Sequence, residues 1–249
     1  KDRFYQPRRR TLFPVVRALQ MLADDELDEL FLSMPPRIGK SCLIQMFVTW
    51  VIGKNSELSN LYCSYSKTIT ASFFNGLLEV LTDEFTYNWN KVFTTSRIVG
   101  TNAAENTIDI NRRKKYHTVT SRSIDGSLNG SCDCNGFLIA DDLVSGIEEA
   151  LNPERMIKLQ AKVDNDLLTR KKQGAKILWI GTRWSMVDPI GNRIDLLETD
   201  QRFNDMRIKI LNLPALNAND ESNFDYDYGV GFDSKYYIQR RASFEKNND

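Results

Sequence analysis

The sequence predicts an α/β fold, with a mostly parallel central sheet flanked by helices. Apolar runs of strand length recur in NLYCSYS (60–66), GFLIADD (136–142) and AKILWIG (175–181), with a shorter one at 30–34. Between them lie segments of helical periodicity, in which Leu43, Ile44, Phe47, Val48 and Val51 mark one apolar face. The alternation of the two kinds of segment is the third observation, because parallel strands need a covering helix to return the chain.

Taken in order, the first 29 residues read as a basic arm, KDRFYQPRRR, and a helix beginning TLFPVVRALQ. Asp24, Asp25, Glu26, Asp28 and Glu29 read as a solvated face of that helix. A strand over 30–34 leads through a loop into a helix over 40–52, then a strand over 60–66 and a helix over about 68–81. Shorter strand-like pieces, RIV, TIDI and YHTVT, flank NRRKK between residues 96 and 120. After GFLIADD, Asn152 is a cap with Pro153 at the first helical position. Met156, Leu159, Val163 and Leu167 give the helix that follows one stripe. AKILWIGTRW reads as a strand running into polar residues, where Trp184 is expected to pack, and MRIKILNLPAL contains the last strand. Beyond Pro214 the acidic, aromatic NANDESNFDYDYGVGFDS has no period and reads as a linker or a surface-hugging extension.

At 249 residues and 41% apolar the chain can bury a full core. Its 33 basic and 33 acidic residues cancel, which neither argues for nor excludes nucleic acid, since a neutral protein can carry a basic face. Four cysteines are too few for a disulfide scaffold. Cys132 and Cys134 are one residue apart, closer than the pairs that hold structural zinc. They read as reduced thiols of a cytosolic protein. No apolar run approaches the ~20 residues that span a bilayer, and the start lacks a secretion signal. The absence of an initiator Met predicts a processed chain or an excised piece.

The chemistry is concentrated in LFLSMPPRIGKSCLIQMF (30–47). In a phosphate-binding loop, backbone N–H groups and the next helix surround the phosphates, lysine adds a point charge, and a hydroxyl reaches Mg²⁺. Gly39, Lys40 and Ser41 supply these parts, although Met34 stands where the usual pattern begins with glycine. Pro35 and Pro36 fix φ in the loop and remove two donors. Alone, Gly-Lys-Ser is as compatible with a structural turn. The setting between an apolar strand and an amphipathic helix favours the phosphate loop, as do Asp141 and Asp142 just past a second buried strand. One carboxylate there can hold Mg²⁺ and the other can orient or deprotonate water. Arg37 lies where its guanidinium can meet phosphate oxygens, or pair with the acids of the first helix. Thr182, in GTRW, is placed to contact a γ-phosphate. These features predict a nucleotide hydrolase, and the extra strand NLYCSYS between loop and acids argues against a small kinase.

These motifs resemble the large terminase subunit of tailed bacteriophages, the ATPase motor that packs viral DNA. The resemblance runs from MPPRIGKS (34–41) through SYSKTITASFFNG (64–76) and GSLNGSCDCNGFLIADDL (126–143) to KILWIGTRWSMVDPIG (176–191). It covers roughly residues 4–215 and implies a P-loop NTPase of the additional-strand type. By position, Pro35, Pro36, Arg37, Ile38, Gly39, Lys40, Ser41 and Cys42 would line the nucleotide. Ser41 and Asp141 would hold Mg²⁺, and Asp142 would be the catalytic carboxylate, where many relatives have glutamate. Arg37 would act in cis, Thr182 in coupling, and Arg122 as a finger into a neighbouring subunit. Tyr5, Gln6 and Arg9 would face the adenine.

The resemblance further implies ATP and Mg²⁺ as ligands, and double-stranded DNA, a portal protein and a small terminase subunit as partners. It implies a ring on the procapsid, a monomer in isolation, and a place in the infected host's cytoplasm with no membrane association. Residues 1–215 would form the ATPase domain, with 1–29 as arm and helix. Residues 216–249 would begin the connection to a nuclease domain that this chain lacks, so no nuclease activity is expected of it. The basic runs at Arg8–Arg10, Arg112–Lys115 and Arg170–Lys172 are alternative places for DNA or plain solvated turns. Two other readings remain: a helicase-like nucleic-acid-dependent ATPase, and a docking module with a vestigial ATP site.

Overall fold

A computed structural model describes residues 5–128, 130, 132–185, 187–226 and 229–246. Residues 1–4 of the basic arm, Asn129 and Ser131 of the glycine-rich approach, Met186, Asp227, Tyr228 and 247–249 lie outside that description, as do the side chains of Tyr5, Phe244 and Lys246.

Among the described residues, one sheet is built from β1 (Glu29–Ser33), β2 (Asn60–Ser64), β3 (Ile98–Asn102), β4 (Thr107–Ile110), β5 (Val119–Ser123), β6 (Phe137–Asp141), β7 (Lys176–Gly181) and β8 (Ile208–Asn212). Its order is β3-β4-β5-β2-β6-β7-β1-β8. From β5 to β8 every neighbouring pair is parallel, and β3 and β4 form an antiparallel hairpin at one edge. The strand lying between β1 and β6 is therefore β7. β2, which lies between loop and acids in the chain as expected, is on the far side of β6 in the sheet. Strands that follow one another in the chain need not be neighbours in a parallel sheet, where crossovers can skip positions.

Side-chain alternation sends the strands' residues to two cores. Leu30, Leu32, Tyr62, Phe137, Ile139, Leu178 and Ile180 face α1 (Tyr5–Ala23), α2 (Lys40–Lys54) and α3 (Lys67–Thr82). Phe31, Leu61, Cys63, Leu138, Ala140, Ile177 and Trp179 face the other layer. That layer holds the short α5 (Ile147–Ala150), α6 (Pro153–Lys162) and α7 (Pro189–Thr199). A one-turn α4 (Trp89–Val92) packs beside α2, where Trp89 Nε1 donates to the Thr49 carbonyl at 2.7 Å.

Helix starts follow local chemistry. The Ser66 hydroxyl accepts from the N–H groups of Thr68 and Ile69, and Asn152 accepts from Arg155 N. Asp188 accepts from Gly191 N ahead of Pro189, so α7 has a capped start that the sequence reading passed over. Regular α6 is shorter than the expected span, because the chain passes through a π turn (Val163–Leu167) and a 3₁₀ turn before Lys171. In α1, Pro14 removes an internal hydrogen bond, a cost of about 3 kcal/mol in a helix interior. Leu12, Val15, Ala18, Leu19 and Leu22 are all buried on the same helix, and at roughly 1.5–3 kcal/mol for each larger side chain they outweigh it. The arm is helical from Tyr5 onward, so arm and first helix are one element.

The acidic patch is a solvated face only in part: Asp24, Asp25 and Glu26 are exposed, whereas Asp28 is half-buried and Glu29 buried. Helix α1 ends at Ala23, and Glu29 enters β1 fully buried, accepting from Trp179 Nε1 at 2.7 Å and Arg193 Nε at 3.1 Å. Asp28 accepts from Arg207 at 2.8 Å and Lys176 at 2.9 Å, and the Arg207 contact holds its carboxyl well below the usual range. These acids tie β1, β7 and β8 together.

The C-terminal segment folds back as well, so of the two expectations for it the packed extension is found. A small antiparallel pair, β9 (Asp225–Tyr226) and β10 (Val230–Gly231), precedes α8 (Ser234–Lys246). Phe224, Tyr226 and Tyr237 are buried in the same core as α1 and α2. The Thr11 hydroxyl donates to the Asn223 carbonyl at 3.0 Å. Aromatic residues without periodicity fill a groove between elements already formed, which no local pattern announces.

Candidate functional site

Because β1, β7 and β6 are parallel, the residues that follow them emerge at one edge of the sheet. The 34–41 loop follows β1, Thr182 follows β7, and Asp141 and Asp142 finish β6. In the loop Ile38 is fully buried and anchors the turn, while Pro36, Arg37 and Ser41 are exposed. Arg37 (φ 66°) and Gly39 (φ 100°) both adopt left-handed backbone conformations. Gly39 does so freely and Arg37 at a steric cost, and alternating handedness of this kind turns successive N–H groups toward one point. Gly39 also caps α2 without a side chain, so no capping oxygen competes for the first N–H groups of the helix.

Lys40 is buried, and its Nζ lies 3.3 Å from Asp142 Oδ2 and 3.4 Å from Oδ1. Asp142 has a left-handed φ of 43°, which breaks the strand's alternation at this residue. Its Oδ1 also accepts from the Thr182 backbone N–H at 3.2 Å. Asp141 keeps the alternation and points into the α2/α3 face, where Oδ2 accepts from the Tyr62 hydroxyl at 2.7 Å. Its Oδ1 is buried without a hydrogen-bond partner. Burial, then the adjacent Asp142 charge, pushes the Asp141 carboxyl up to about 6, against the opposing influence of Lys40 and Tyr62. A buried carboxylate oxygen left unpaired is costly in a structural residue and suits one that binds a cation.

The other expected residues are more dispersed. Arg37 makes no ion pair with the acids after α1: Asp24 pairs with Lys54, Asp25 and Asp28 with Lys176 and Arg207, and Glu29 with Arg193. Arg122, at the end of β5, is paired within its own chain to Glu105 at 2.6 Å. Gln6 and Arg9 are exposed on α1. It is Arg8 that turns inward, its guanidinium 5.1 Å from the centre of the Tyr226 ring and close enough to Cys42 to oppose the burial-driven rise of that thiol. Trp184 is exposed rather than packed, because Asp188 draws the backbone of residues 184 and 185 and the Arg183 side chain toward itself.

Of the basic runs, Lys114 Nζ donates to the carbonyls of Ser56, Glu57 and Leu58, Arg112 pairs with Glu57, and Lys172 pairs with Asp133 at 2.6 Å. These contacts staple turns together. All four cysteines are free thiols, three of them buried. Among the described residues no group of three or more His, Cys, Asp or Glu side chains is arranged to hold a metal by itself.

Sequence reasoning missed Tyr62 and Asp188. Tyr62 was legible only as part of a buried strand, and its approach to Asp141 requires knowing that β2 adjoins β6. Asp188 carried a local signal, an acid immediately before a proline at a helix start.

No family model matches the chain, and no curated protein does. Among solved structures, it is similar to the N-terminal domain of the DNA packaging ATPase from bacteriophage phi29. The likeness covers 80% of this chain and 96% of that one, at 13% identity and a TM-score of 0.45.

Proposed function

We propose that this chain is a Mg²⁺-dependent ATPase, and that it serves as the ATPase part of a motor moving double-stranded DNA into a viral procapsid. One observation carries the ATPase reading. A buried lysine at a helix start, two consecutive acids and a backbone N–H from a third strand converge at one sheet edge, with Lys40 3.3 Å from Asp142. The motor reading rests on the resemblance of the four sequence motifs to large terminase subunits, and the DNA, portal, small-subunit and ring assignments rest on it too. So do the cytoplasmic setting and the roles of Arg37, Arg122, Gln6 and Arg9.

In this reading Lys40 and the loop N–H groups bind the triphosphate, whose oxygens compete with Asp142 for the lysine. The released Asp142 carboxylate, held in place by the Thr182 N–H, then takes a proton from the water as its oxygen bonds to the γ-phosphorus and the bond to the departing ADP oxygen breaks. Asp141 and Ser41 are the residues that would hold Mg²⁺, and the unpaired Asp141 Oδ1 fits that use. When bound, Mg²⁺ neutralises charge on the phosphate oxygens. Tyr62 fixes the Asp141 carboxyl from the side away from that oxygen.

The test is phosphate release from ATP with Mg²⁺. Lys40→Ala should abolish turnover with the fold intact, and Asp142→Asn should keep nucleotide binding and lose about 10²- to 10⁴-fold in rate. Near-normal turnover in Lys40→Ala refutes the assignment.

A further inference from the structure

We infer that Tyr226, in the C-terminal segment, is a positioning residue of the phosphate loop. Its hydroxyl donates to the carbonyl of Ile38 at 3.3 Å, inside the core and 188 residues away along the chain. The Ile38–Gly39 peptide is trans, as are all peptides in the described chain. In a trans peptide the carbonyl and the following N–H point in opposite directions. Holding the Ile38 carbonyl toward Tyr226 therefore directs the Gly39 N–H the other way, into the loop. That N–H is one of the donors which the alternating backbone of Arg37 and Gly39 turns toward an anion.

The segment is built to hold the tyrosine there. Phe224 is fully buried two residues earlier, and the Arg8 guanidinium covers the Tyr226 ring. The Ser222 hydroxyl donates to the Phe232 carbonyl and accepts from Phe224 N, closing the β9–β10 pair. Gly231 (φ 97°) lies so close that a Cβ there would come within 2.0 Å of the Phe224 carbonyl oxygen and 2.8 Å of the Tyr226 ring. Burial pushes the Tyr226 hydroxyl up to about 12, so it stays a donor across the working pH range. A segment that looks like a linker in sequence is thus part of the nucleotide site.

The inference rests on the ATPase reading, and the variant Tyr226→Phe tests it, since it keeps the ring and removes the donor. The contact is long for an O–H···O bond, so a modest effect is expected. Mg-ADP and Mg-ATP should both bind about 2- to 5-fold more weakly, the range of one weak hydrogen bond, with the loss in KM rather than kcat. Without nucleotide, amide exchange over residues 38–42 should accelerate. A merely structural tyrosine would lower the thermal midpoint and leave both the ADP affinity and that local exchange unchanged, and this result overturns the inference alone. Wild-type protein that binds neither nucleotide overturns the ATPase reading and the inference with it.

Discussion

Asp141→Asn should flatten the pH dependence of stability, because the folded protein holds a proton on this carboxyl more tightly than the unfolded chain does. The folded value is about 6 against 3.8 for the free side chain. A raised folded pKa contributes stability that is complete below pH 3.8 and is lost as pH rises through 6. A shift of about two units corresponds to roughly 3 kcal/mol in total, and roughly half of it disappears between pH 5 and 7.5. Asp141 is only 3% exposed, so solvent screening does not shrink the figure. Asparagine keeps an oxygen for the Tyr62 hydroxyl and cannot ionise. Urea unfolding with EDTA at pH 5.0, 6.0 and 7.5 measures the effect, and titrating groups remote from the Asp141–Asp142 pair cancel in the comparison with wild type. Over this range the wild type should lose on the order of 1 kcal/mol more than Asp141→Asn. Parallel profiles refute the reasoning.

Thr182→Val separates the hydroxyl from the backbone contact, because the N–H bond to Asp142 survives the substitution. ATP binding should persist and hydrolysis should fall; unchanged kcat would remove the hydroxyl from the chemistry. Glu29→Ala should destabilise by roughly 3–5 kcal/mol, since it leaves the Arg193 guanidinium without its buried partner and Trp179 Nε1 without its acceptor. Chemical denaturation reads this directly, and a loss under 1 kcal/mol would mean the acid is not structural.

Much of the sheet was legible because each strand carries its own apolar run, and α2, α3 and α6 because their apolar stripes or caps are local. Residues 60–64 and 137–141 were found within a residue or two for this reason. The order of strands was not legible. Nothing in NLYCSYS says that it lies beyond β6 or that Tyr62 will meet Asp141, since that contact spans 79 residues. The same limit explains Glu29, whose acidic neighbours suggested solvent, while its burial depends on Trp179 and Arg193 arriving from 150 and 164 residues away.

The site divides along the same line. The gathering of Lys40, Asp141, Asp142 and Thr182 at one sheet edge was legible because loop-forming and strand-ending residues occur in a recognisable local order. What adjusts them was hidden, because Tyr62, Arg8 and Tyr226 reach the site only through tertiary packing. Tyr62 satisfies just one oxygen of Asp141, and the other stays buried and unpaired. A residue selected for stability alone would not be left so, because a buried acid with one orphaned oxygen costs folding free energy in every state that ionises it. The cost and the proposed use have one origin. The desolvation that lifts the Asp141 carboxyl to about 6 is the same desolvation that strengthens its attraction for a cation, so the substitution that relieves the fold should also weaken the site.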